Sequence, residues 1–168
     1  MANAEIIQYA EGFRRKVNEF KKLCQGLNEE TASSAPGDRW SPKQIISHLL
    51  GPEGIGMLPS IQAFLDQDTP RLDMEAENPF FTDNRKRMPF GELFAEFEKE
   101  YGRIADLVAG LSEEQLKRKA RIPMLKETPM GEYPTLKDWI AALGDYHLDF
   151  HLNHLKEILQ ALEVTAGK

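Results

Sequence analysis

The sequence predicts an all-α protein: a four-helix bundle with a short extra helix and an irregular segment before the last helix. Three observations carry that expectation. Apolar residues recur at spacings of three and four through four long stretches, the period of an amphipathic helix. Ser or Thr at the mouth of such stretches supplies helix starts. The two-residue alternation of a half-buried strand is scarce.

The first helix is marked by Ile6, Ala10, Phe13, Val17, Phe20, Cys24 and Leu27, one buried face extending from about Ala4 to Gln25. A polar loop with Ser, Pro and Gly follows. At Ser41-Pro42-Lys43-Gln44 a second helix begins, because Ser41 can cap, Pro42 suits the first helical position, and Gln44 completes a capping box. It carries Ile45, Ile46, His48, Leu49 and Leu50 into Gly51-Pro52-Glu53-Gly54-Ile55-Gly56, where a kink or break is expected before helix resumes through Ile61, Phe64 and Leu65. The polar, proline-bearing stretch 67–89 reads as a long surface connection, and Arg85-Lys86-Arg87 within it as a solvated turn.

A third helix is marked by Phe90, Leu93, Phe94, Phe97, Ile104, Leu107, Val108 and Leu111. Ser112-Glu113-Glu114-Gln115 repeats the capping-box pattern and predicts the short extra helix. Pro123, Pro129 and Pro134 then exclude helix, leaving an irregular loop or small hairpin. The last helix opens with Thr135 as N-cap and Asp138 near the positive end of the dipole, and carries Trp139, Ile140, Leu143, His147, His151, Leu155, Ile158, Leu159 and Leu162.

At 168 residues the chain is read as a single domain, 1–168. Hydrophobic residues make up 41% and charged residues 29%, a balance that argues against a disordered chain. The net charge of -6 and the lack of a long Lys/Arg run argue against nucleic acid as a partner. No stretch approaches the ~20 apolar residues of a membrane span, and Met1-Ala2-Asn3-Ala4-Glu5 lacks the charged and apolar regions of a signal peptide, so a cytoplasmic location is expected. Cys24 is the only cysteine and falls on an apolar face, which reads as packing, not as a nucleophile.

The four histidines lie in two places, His48 on the second helix and His147, His151 and His154 on the last. At about 100° per residue, the last three fall within roughly 60° of one another on a regular helix. That face is apolar, and an unsatisfied buried polar group costs about 1–3 kcal/mol. A shared divalent metal such as Zn, Ni or Fe would take up the ring nitrogens, and an i, i+4 pair is a known way of presenting two of them. Core or surface histidines satisfied by hydrogen bonds are the competing explanation. Spacing alone does not bring His48 to the pair.

Two segments resemble the DinB/YfiT-like superfamily of metal-dependent hydrolases and thiol S-transferases. Arg39-Trp40-Ser41-Pro42-Lys43-Gln44-Ile45-Ile46-Ser47-His48-Leu49 is similar to the family's Trp-Ser/Thr motif, and Thr135-Leu136-Lys137-Asp138-Trp139 with Tyr146-His147-Leu148-Asp149-Phe150-His151 to its C-terminal ending. The resemblance implies a four-helix bundle of DinB/YfiT-like type and metal ligands at His48, His147 and His151. His154 is then a supporting residue, with His151 and His154 as the second choice of pair. After His48 the sequence departs from the family pattern, which has a polar, histidine-bearing continuation in place of Gly51-Pro52-Glu53-Gly54.

A three-histidine site leaves a coordination position open. From there an ion can ionise water near pH ~7 for hydrolysis or hold a low-molecular-weight thiol as thiolate. Glu53 is the candidate catalytic base, with a solvated residue at the kink as the plainer explanation. Trp40 is a candidate pocket wall or a hydrophobic staple, and Asp145 and Asn153 are candidates for orienting imidazoles or for the surface. The resemblance further implies a small-molecule substrate and a homodimer, although every apolar face here can be assigned to one core. The alternative function is a non-catalytic metal- or ligand-binding bundle, stress-associated in kind.

Overall fold

A computed structural model describes residues 3–166, with side chains through Glu163. Of the expected domain, Met1, Ala2, Gly167 and Lys168 lie outside the described residues, as do the first two residues of the segment read for a signal peptide. Helix α1 (Ala4–Cys24) is capped by Asn3, whose side chain accepts from Glu5 N–H. It buries Ile6, Ala10, Phe13, Val17 and Phe20, the stripe that its sequence period requires. The loop after it contains a short helix the periodicity does not show, α2 (Glu29–Ala32), started by Asn28.

Helix α3 (Pro42–Leu50) has the capping box: Gln44 N–H donates to Ser41 Oγ at 3.1 Å and Ser41 N–H to Gln44 Oε1 at 2.8 Å. The expected break follows at Gly51, where φ is +84°. A Cβ there would lie 2.9 Å from Met57 Sδ and 3.0 Å from the Gly56 carbonyl carbon, so both backbone angle and space select glycine. Helix α4 (Leu58–Asp66) resumes the path.

The long connection is not wholly a surface feature. It contains α5 (Asp83–Arg87), capped by Thr82, and Arg85 within it is only 2% exposed. The reading of Arg85 as part of a solvated turn is therefore corrected. Its guanidinium Nη1 donates to the carbonyls of Ser47, Gly51 and Phe80, and a cation at the C-terminal carbonyls of α3 is favoured by the helix dipole. Sequence period cannot reveal a polar residue whose acceptors are supplied by another helix.

Helix α6 (Phe90–Ala109) lies against α1 and α3. Its aromatic residues interlock with α1 through a T-shaped Phe20–Phe97 pair at 5.4 Å and a Phe13–Tyr101 pair at 6.1 Å, arrangements that suit the ring quadrupoles. Tyr101 donates its hydroxyl proton to Leu49 O at 2.9 Å. Pro89 offers no side-chain cap to α6. Glu29 acts in its place, accepting from Phe90 N–H at 2.7 Å while its other oxygen pairs with the buried Lys43 at 2.8 Å.

The short extra helix, α7 (Glu113–Leu116), has its capping box. The irregular segment holds a 3₁₀ turn (Pro123–Leu125) and isolated bridges, Lys119 with Thr135 and Arg71 with Arg121. The final helical run, expected to be continuous from Thr135, is three pieces joined end to end: α8 (Leu136–Ala141), a π-helical turn (Ala142–Leu148) and α9 (Asp149–Ala166). Helix α3 packs on α9 and α4 on α8, so the broken second helix runs antiparallel to the last. The bundle therefore consists of α1, α3 with α4, α6, and the α8–α9 run around one core. Among the described residues no helix is long and apolar enough to cross a membrane.

The start of α3 sets the position of His48. We predict that Ser41→Ala lowers stability by about 1 kcal/mol, read as a lower urea midpoint at unchanged slope. An unchanged midpoint would show that the capping box does not hold this helix.

Candidate metal centre

The capped α3 places His48 on its last full turn, and the α8–α9 run opposite brings His147 and His151 to it. One nitrogen from each of the three rings lies within 4.8 Å of the others. Ring centroids are 5.0 Å apart for His48–His147, 4.6 Å for His48–His151 and 4.7 Å for His147–His151. Tetrahedral bonds of about 2.1 Å put ligand atoms roughly 3.4 Å apart, so small side-chain adjustments reach that spacing.

Each ring is held differently. The Nδ1–H of His48 donates to Asn78 O at 2.7 Å. Since a carbonyl only accepts, neutral His48 carries its proton on Nδ1 and presents the Nε2 lone pair. That Nε2 lies 3.0 Å from Nε2 of His147. His147 Nδ1 is buried with no hydrogen-bond partner. Nε2 is thus the His147 nitrogen that faces the cluster and the one an ion there would take, while Nδ1 lies buried away from any partner. His151 and His154 face each other through their Nδ1 atoms at 3.3 Å, which directs His154 to supporting His151.

Burial pushes all three imidazoles below the usual histidine value. For His48 this outweighs its bond to Asn78. His147 is brought down to about 4, by burial first and the nearby His48 second. His151 is pushed down further by burial and by His147, His48 and His154. Rings so depressed are neutral at pH 7, the protonation state that metal binding requires.

The walls are aromatic. Trp40 lies 5.1 Å from His48 and stacks on His151 at 6.3 Å and 7°, so it does more than staple the helix start. Phe80 also stacks on His48, at 6.3 Å and 5°. Phe80 has φ +50°, a sparsely populated conformation for a bulky residue. It is held by Asn78 Oδ1, which accepts from Phe80 N–H at 2.7 Å, and by Ser47 Oγ–H, which donates to Phe80 O at 3.0 Å.

The other candidates lie apart from the rings. Both carboxylate oxygens of Glu53 are engaged, with Asn84 Nδ2 at 2.7 Å and Thr82 Oγ1 at 3.0 Å, and these bonds hold its carboxyl below the usual range. Asp145 pairs with Lys16, and Asn153 is exposed. The Cys24 thiol is pushed up to about 12 by burial, which keeps it in the protonated form near neutral pH. Sequence reasoning missed Asn78 and Phe80, whose contribution is backbone and ring placement from a loop, and Lys16. Only Lys16 left a signal, three residues after Phe13 and four before Phe20 on the buried face of α1.

Fold and site together define a helical bundle with three imidazoles gathered between its second and last helices. The chain belongs to the DinB superfamily, whose family model matches residues 13–155. The structure is also similar to that of YfiT from Bacillus subtilis, described as a probable metal-dependent hydrolase with an unusual four-helix bundle topology. That match has a TM-score of 0.75 and 17% identity, covering 97% of this chain and 90% of that one; at such identity the likeness is one of fold. No curated protein matches the sequence.

The depressed histidines link stability to pH. Between about 4, where folded His147 titrates, and its ordinary 6.5, the unfolded chain binds more protons, so stability falls as pH drops through that window. Metal-free protein should show a falling urea midpoint from pH 7 to pH 4.5, and His147→Leu a shallower fall. Equal slopes in the two proteins would contradict this origin.

Proposed function

We propose that this protein is a metal-dependent hydrolase of a small molecule, with His48, His147 and His151 holding a divalent ion of the Zn, Ni or Fe kind. The observation that carries this reading is the meeting of three neutral, largely buried imidazoles from two helices, with one nitrogen of each within 4.8 Å of the others. Three protein ligands leave a coordination position open, as catalytic sites do and structural ones do not. The description of YfiT as a probable metal-dependent hydrolase supports the same class of reaction. When bound, the ion supplies Lewis acidity and lowers the pKa of a water molecule it carries.

The residues of the chain prepare that chemistry. Asn78 O keeps the His48 proton on Nδ1, so Nε2 stays available as a ligand. Trp40 and Phe80 both pack against His48, which limits water at that ring and strengthens electrostatic interactions there. In the tautomer in which His151 Nδ1–H donates to His154 Nδ1, 3.3 Å away, Nε2 of His151 carries the lone pair an ion would take.

Metal analysis of protein purified without an affinity tag tests the centre. We expect about one equivalent of Zn, Ni or Fe in the wild type, and a loss of ~10-fold or more in affinity in His48→Ala, His147→Ala and His151→Ala. Wild-type protein without metal, or His147→Ala with undiminished content, would remove the proposal. In cobalt-substituted protein, a visible-spectrum shift on adding a low-molecular-weight thiol would move the reading from hydrolysis to S-transfer.

Glu53, the candidate base from the sequence, has each oxygen bonded to Thr82 or Asn84 and is hydrogen-bonded to none of the three rings. The reading proposed here keeps it as the anchor of the segment that carries Asn78 and Phe80. Glu53→Gln is therefore expected to retain metal and turnover. A fall in turnover of about 10²-fold at unchanged metal content would assign Glu53 as the base after all.

A further inference from the structure

Helix α1 carries a lysine on its core face. The Lys16 side chain is 8% exposed, among Phe13, Val17 and Phe20, where an ammonium is costly unless its donors are matched. Of its three N–H donors, two make hydrogen bonds, to Gly144 O at 2.7 Å and Asp145 Oδ1 at 3.1 Å, and Asp149 Oδ2 adds an ion pair at 3.4 Å. All three acceptors belong to the π-helical turn Ala142–Leu148 or the residue after it, and His147 lies between them.

The turn matters because of what it does to register. A π turn inserts one extra residue into a helix, which offsets the faces before and after it by roughly 100° relative to an unbroken α-helix. Before it, Leu136, Trp139 and Ile140 point into the core; after it, His151, Leu152, Leu155 and Ile158 do. Such turns persist where side chains support the altered ladder. Here the support comes from α1 in two ways, the Lys16 ammonium and the close approach of the Phe13 ring, 3.3 Å from where a Cβ on Gly144 would stand.

We infer that Lys16 is a positioning residue for the histidine centre: by gripping Gly144, Asp145 and Asp149 it holds the wide turn in the register that aims His147 at His48. The inference rests on the metal-binding reading above. Lys16 touches none of the three rings and acts through the backbone that carries one of them.

The test is a cobalt(II) titration followed by visible absorption, with thermal melts, on the wild type, Lys16→Met, Val17→Ala and the double variant Asp145→Asn with Asp149→Asn. Lys16→Met keeps an unbranched apolar stem and loses the donors. It should melt cooperatively yet bind cobalt about tenfold more weakly, with an altered ligand-field band. Val17→Ala, a core truncation one residue away, should lower the melting temperature and leave cobalt affinity unchanged. Wild-type affinity in Lys16→Met overturns the inference, as does an equal affinity loss in Val17→Ala at equal loss of melting temperature. Should Lys16→Met fail to fold, the double variant decides, since it strips the charged acceptors at exposed positions: weaker binding supports the role and unchanged binding overturns it. A wild type that binds no cobalt ends the metal reading and this inference together, whereas binding that is equal in wild type and variants ends this inference alone.

Discussion

Three imidazoles packed together out of water must find places for six ring nitrogens. That constraint organises the structure around the second and last helices. One nitrogen of His48 is taken by a backbone carbonyl and one of His151 faces His154. One nitrogen of each ring converges on the others, Nε2 of His48 and Nε2 of His147 lying 3.0 Å apart, and Nδ1 of His147 is left without a protein partner. Like rings in contact cannot all be protonated, so burial and mutual repulsion drive them neutral. A neutral, converging donor set is chemically what a divalent cation takes up.

The supports on the two sides of the centre differ in kind. On the α3 side, residues 78–87 wrap the helix end: Asn78 fixes the tautomer of His48, Phe80 covers its ring, and Arg85 gathers the carbonyls of Ser47, Gly51 and Phe80. Glu53 ties the same segment down through Thr82 and Asn84. On the other side, the backbone itself departs from the α-helix, and a buried ammonium meets it there. Both supports place charged groups in or near the interior, where a charge is costly unless it is hydrogen-bonded; Arg85 meets that through Nη1, while its buried Nε has no partner.

Similarity to YfiT at 17% identity over nearly the whole chain fits this division of labour. A bundle needs only apolar stripes of the right period and workable caps, and many sequences supply them. The residues around a centre are a much smaller set. They include loop and backbone groups, such as Asn78 O and Gly144 O.

Most of the bundle was legible in the sequence. The stripe of α1, the capping boxes at Ser41 and Ser112, the break at Gly51 and the N-cap at Thr135 are local features, set by side-chain period, by a hydroxyl three residues from an N–H, or by a glycine angle. His48, His147 and His151 were legible as candidates because imidazoles on apolar faces stand out. The sequence by itself determined which apolar stripes face inward and where the capped helices begin. The tertiary structure alone decided that α3 meets α9, that Arg85 and Lys16 are buried, that Asn78 reaches His48, and that the last helix widens at Ala142–Leu148. The physical reason is that each of these depends on an acceptor, a ring or a carbonyl brought from a distant part of the chain, and local periodicity carries no information about a partner that only folding delivers.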